Sequence, residues 1–136
     1  MSVIRPLLLV LSALPCFAAT FGTVVPHTPA LADLAIDEGR KRLYVVNTLS
    51  SDVEVYSTNG ITALSKPIGT IKTDATPLSL ALSRETPSAH YLYVTCYDGS
   101  TLDIIDLTSA NFSSVSKQLD AKPEGVAVGF NGPATQ

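Results

Sequence analysis

The chain has no tryptophan, only two histidines and two cysteines among 136 residues, and 15% charged residues. Each shortage excludes something. Tetrahedral zinc needs three or four convergent ligands, and neither His27 nor His90 stands in a spaced pair with a cysteine or another histidine, so no local zinc motif exists. Two cysteines, Cys16 and Cys96, are too few for a disulfide framework, and stability has to come from packing. With 9 Lys and Arg against 12 Asp and Glu the formal charge is −3, and the largest basic cluster, Arg40-Lys41-Arg42, is a solvated turn; nucleic acid is excluded as a partner class. No apolar run reaches the roughly 20 residues of a membrane-spanning helix. A Gly-x-Ser-x-Gly elbow, a phosphate loop and a dinucleotide fingerprint are all missing from the sequence.

What is present begins with a leader. Arg5 supplies a positive start, Leu7 to Leu14 form a short apolar stretch, and Cys16-Phe17-Ala18 ends in the small-x-small pattern cut by signal peptidase. Residues 1–18 are therefore expected to be a signal peptide, and the mature chain to be secreted, either periplasmic or extracellular. Cys96 is then its single cysteine. It ends the apolar run Tyr91 to Thr95 and reads as a small buried hydrophobe, since no base that would make it a thiolate stands nearby in sequence.

The strongest pattern is a repeat. Leu34-Ala35-Ile36, Leu80-Ala81-Leu82 and Val126-Ala127-Val128 recur at a constant spacing of 46 residues (34, 80, 126). Self-similarity at about 40 to 50 residues marks a solenoid or propeller, whose small sheets cannot bury their faces without neighbours. Within the first unit, strands are expected at Leu34 to Ile36, Arg42 to Asn47, Asp52 to Tyr56 and Pro67 to Lys72, separated by turns at Asp37 to Lys41 and Ser57 to Gly60. The second unit repeats this order at Ser79 to Ser83, Tyr91 to Cys96, Thr101 to Leu107 and Phe112 to Leu119. Its loop between the first two strands is three residues longer, through Glu85-Thr86-Pro87-Ser88-Ala89.

The inner strands read as unbroken apolar runs, as strands flanked by blades on both faces should, and the recurring alanine at 35, 81 and 127 suits close approach of neighbouring sheets. The fold class is thus all-β: a partial β-propeller of about two four-stranded antiparallel blades plus flanking strands. Blade one is expected over residues 31–73, blade two over 77–119 and the start of a third over 123–136. Phe21-Gly22-Thr23-Val24 parallels Ile68-Gly69-Thr70-Ile71, so residues 21–25 are expected to be a leading outer strand of the kind that latches a ring. A ring needs four to eight blades. The chain is therefore expected to be the N-terminal part of a longer propeller, or, if full length, to form an oligomer.

The runs Arg42-Leu43-Tyr44-Val45-Val46-Asn47 and Tyr91-Leu92-Tyr93-Val94-Thr95-Cys96, each followed by a polar turn and an alternating strand, resemble the YVTN repeat of bacterial secreted β-propellers, a relative of the NHL and WD40 repeats. The family reads Tyr-Val-Thr-Asn; Val46 departs from it in the first copy and Cys96 in the second. The resemblance covers nearly all of residues 21 to 130. It implies a secreted scaffold that binds or supports, with sugar-acid lactonases and quinone-dependent dehydrogenases as enzymes of similar architecture.

No residue carries catalytic, cofactor-binding or metal-binding chemistry on the sequence alone, no cofactor is implied, and the chain is expected not to be an enzyme. Asp33 and Asp37 flank the first inner strand, but their repeat equivalents are Ser79 and Ser83, then Gly125 and Gly129, which could not complete the roughly six oxygens a hard cation wants. They read as carboxylates capping backbone donors. Glu124, before a glycine at a strand entry, is equally placed to face the axis or to be a solvated turn residue, and His27 and His90 read as surface residues in loops. Asp98-Gly99-Ser100 is expected to be a hairpin turn in which Asp98 and Gly99 take the positive φ. Tyr44, Tyr56, Tyr93 and Tyr97 could stack on a sugar, yet strand tyrosines usually pack. The ligand or partner is left open.

Overall fold

A computed structural model describes residues 30–60, 66–86 and 89–129. The expected signal peptide at 1–18, the expected leading strand at 21–25 and His27 lie outside them. Eight strands follow one another: β1 (Leu31–Asp37), β2 (Arg42–Asn47), β3 (Asp52–Ser57), β4 (Gly69–Lys72), β5 (Pro77–Leu82), β6 (Tyr91–Cys96), β7 (Thr101–Asp106) and β8 (Ser114–Gln118). They form two antiparallel meanders, β1-β2-β3-β4 and β5-β6-β7-β8, each paired in sequence order. The chain is all-β and propeller-like, two blades of four strands.

Turn chemistry sets the strand ends. Positive φ falls on Lys41 (54°), Ser51 (52°) and Ser100 (52°), the last residue of the β1–β2, β2–β3 and β6–β7 turns. In the Asp98-Gly99-Ser100 turn the left-handed residue is therefore Ser100, not Asp98 or Gly99. Gly99 is needed for another reason: a Cβ there would lie 2.6 Å from Cγ of Asp74, in the segment that links the blades. Deletion of the side chain lets that linker close down on the turn, where Gly99 N–H donates to the Ala75 carbonyl.

The two sheets stack face to face. Tyr44, Val46, Val53, Val55 and Ile71 of the first meet Leu80, Leu92, Val94, Cys96, Ile105 and Leu107 of the second in one core, with Ala35, Leu82 and Phe112 against it. These two faces are not equivalent. Leu34 pairs with Val45 and Ile36 with Leu43, as Leu80 pairs with Val94 and Leu82 with Leu92. By that register the second blade buries the face built from the Leu34, Ile36, Leu43 and Val45 positions, whereas the first buries the opposite one, bearing Ala35 and Tyr44.

Stacking is thus head to tail, and each blade keeps one apolar face without a sheet upon it among the described residues. On the first blade Leu34 and Ile36 stand 59% and 58% exposed, although the sequence predicts an inner strand covered on both sides. On the second, Tyr91, Tyr93, Leu102 and Ile104 are half-buried and Val115 is exposed. Residues 123–129, read as the opening of a third unit, make no strand pairing among the described residues.

Candidate functional site

Asp33 sits where β1 departs from regular register, between Leu31 and Leu34; β5 has the matching irregularity between Pro77 and Ser79. Such bulges re-aim side chains. Asp33 Oδ2 accepts from the backbone N–H of Leu80 at 3.0 Å and from the Ser79 hydroxyl at 2.9 Å, while Oδ1 accepts from Leu34 N–H at 2.8 Å. The carboxylate does cap backbone donors, but the important donor belongs to the next blade, and the repeat equivalents Asp33 and Ser79 touch one another. Hydrogen bonds to a charged group contribute about 1.5–3 kcal/mol each. Asp33→Ala is expected to destabilise the chain by about that amount, measured by urea unfolding, with Asp33→Asn losing less because the amide oxygen still accepts.

The far end of β1 is busier. Asp37 closes the strand with its Oδ1 accepting Arg40 N–H at 3.0 Å, the turn role expected of it. Its Oδ2 points away from that turn toward His90 of the second blade, whose Nδ1 lies 3.5 Å distant. His90 is 3% exposed, not a surface residue. Its carbonyl accepts from Leu107 N–H, so the backbone ladder between β6 and β7 continues one step past the strand and draws the ring under the β1–β2 turn.

Glu85, from the longer β5–β6 connection, reaches the same place, 2.7 Å from Nη1 of Arg40; that nitrogen also contacts His90 Nδ1 and lies 3.6 Å from Asp37 Oδ2. Ligand atoms of Asp37, Glu85 and His90 all fall within 4.8 Å of one another. Sequence reasoning missed this group because Asp37 is about fifty residues from Glu85 and His90 and belongs to the other blade. One signal existed: the two units differ in length at the loop that delivers Glu85 and His90.

Cys96 is fully buried, and its thiol donates to Oδ2 of Asp103 at 3.6 Å. Burial, with the Asp103 carboxylate beside it, pushes the thiol up to about 12. Asp103 itself is 2% exposed and accepts Asp74 N–H at 2.8 Å, holding the inter-blade linker. Nothing here makes a nucleophile.

The tyrosines act as packing residues: Tyr44 and Tyr56 are buried, Tyr93 tilts against Tyr91 at 6.4 Å, and Tyr97 lies under the Lys122 ammonium at 4.5 Å. Glu124 is exposed. A shallow apolar hollow lined by Leu31, Ala32, Asp33, Leu34 and Val45 opens on the uncovered face of the first blade.

No family model matches the sequence, and no curated protein matches it. Among solved structures the chain is similar to Kuenenia stuttgartiensis hydrazine synthase, with a TM-score of 0.58 at 17% identity over 78% of this chain. The match spans 28% of that chain's length. At such low identity the likeness is one of fold alone.

Proposed function

We propose that this chain is a secreted β-propeller scaffold of the YVTN type, a binding or structural module with no catalytic site of its own, and that its open faces are blade-stacking surfaces, taken by further blades of a longer propeller or, where the chain is full length, by a second copy. The observation that carries the reading is the head-to-tail packing. The surface bearing Leu80 and Leu82 is seated on the surface bearing Ala35 and Tyr44; the open Leu34 and Ile36 surface has the register of the former, and the open Ala81 and Tyr93 surface that of the latter. A heterologous contact of this kind repeats from copy to copy and makes a ring where the rotation closes.

Light scattering on the purified chain is expected to show a concentration-dependent closed assembly, and Leu34→Lys combined with Ile36→Lys to leave monomers of unchanged far-UV circular dichroism. Wild-type chain that stays monomeric at every concentration would count against the stacking role. The second reading, part of a propeller enzyme such as a sugar-acid lactonase or quinone-dependent dehydrogenase, draws on the likeness to a solved enzyme and on the Asp37, Glu85 and His90 group. Hydrolysis of an aldonolactone, or dye reduction with a sugar and quinone, above that of an Asp37→Asn control would favour it.

A further inference from the structure

We infer that Asp37, Glu85 and His90 form a site for a divalent first-row transition ion of the zinc type, clamping the first blade to the second, with Arg40 as the built-in cation that the metal displaces. Three observations converge. The donor set is one imidazole and two carboxylates, which suits zinc and its neighbours better than calcium or magnesium. The spacing fits as well. Donors around a tetrahedral zinc at bond lengths of roughly 2.0–2.1 Å stand about 3.3 Å apart, and Asp37 Oδ2 and His90 Nδ1 are 3.5 Å apart in a place where both side chains are almost wholly buried. Glu85 is half exposed, so its carboxylate can swing the remaining distance.

The third observation is an unmet need. Asp37 is 5% exposed, and its buried Oδ2 has no hydrogen-bond partner. Arg40 sits at the meeting point yet does not supply one: its Nη1 is within bonding range of Glu85 at 2.7 Å but 3.6 Å from Asp37 Oδ2. With the Arg40 guanidinium displaced, the two carboxylates carry two negative charges, which a divalent ion balances.

Arg40 has a way out, its side chain being 23% exposed. Three protein ligands leave a fourth position for water.

The test is calorimetric titration of untagged, EDTA-treated chain with Zn²⁺ alone. One saturable site per chain is expected. Glu85→Gln, at a half-exposed side chain that the fold tolerates, should weaken it by at least the roughly 10–100-fold that loss of even an outer partner costs a metal site. His90→Gln should weaken it in the same range. Arg40→Gln separates a metal site from a plain salt-bridge cluster: it should bind Zn²⁺ more tightly than wild type, and its lowered melting temperature should be restored by Zn²⁺. Absence of saturable binding overturns the proposal, as does binding that Glu85→Gln leaves unchanged, or an Arg40→Gln chain whose lost stability zinc does not recover.

Discussion

Leu80→Ala is expected to cost about 2–5 kcal/mol of unfolding free energy, whereas Leu34→Ala, at the same position of the preceding repeat, should change it by about 0.5 kcal/mol or less in the monomer. The chemistry of the two substitutions is identical. Leu80 is 6% exposed, wedged into the core between the sheets beside Leu92 and Val94, and its removal leaves a cavity that two stacked sheets cannot close. Leu34 is 59% exposed, and alanine there removes contacts the monomer scarcely has.

Urea unfolding at low protein concentration checks both values. Raising the concentration adds a second discriminating reading: where copies stack head to tail, Leu34 acquires the environment that Leu80 already has, and the Leu34→Ala penalty should grow with assembly. Equal penalties at low concentration would mean that both faces of the first blade are covered and that the stacking described here is incomplete.

The second large effect is chemical. At mildly alkaline pH, Cys96 in the folded chain should react with iodoacetamide about a thousandfold more slowly than a free thiol, followed by mass spectrometry of the peptide that carries it. A thiol pushed from 9.0 to about 12 holds about 10³ times less thiolate, the only reactive form, and its full burial slows reagent access further. Denaturant should abolish the protection. Asp103→Asn, which takes away the neighbouring negative charge, should raise reactivity, because that carboxylate opposes ionisation of the thiol alongside desolvation. Rapid labelling of the native chain would displace Cys96 from the core.

The same sulfur shows how much could be read in advance. Cys96 ends an apolar strand with no base near it in sequence, which is enough to place it in the interior and to remove it from the list of nucleophiles. The ranges of β2 and β6 coincide with the expected Arg42 to Asn47 and Tyr91 to Cys96, because β-branched and aromatic residues there are bounded by turn residues on both sides. β4 and β8 proved shorter than expected. They are outer strands, with Ser114–Gln118 exposed throughout, so hydrophobic pattern says little about where they stop. His90 was misread, since burial of a loop histidine is decided by what folds over it.

Local chemistry was enough for the all-β class, the period of 46 residues, the order of four strands in each unit and the absence of a local catalytic motif. Each of these depends on side-chain alternation and turn residues within a few positions of one another, and such short-range preferences are written along the chain. Only the tertiary structure decided which face of each sheet is buried, because the two faces of an inner strand such as Leu34-Ala35-Ile36 are both apolar and pattern alone cannot rank them. It also decided that Asp33 holds Leu80, and that Asp37, Glu85 and His90 share one point. Those contacts join residues about fifty positions apart, and their distance is set by how one blade is laid on the next.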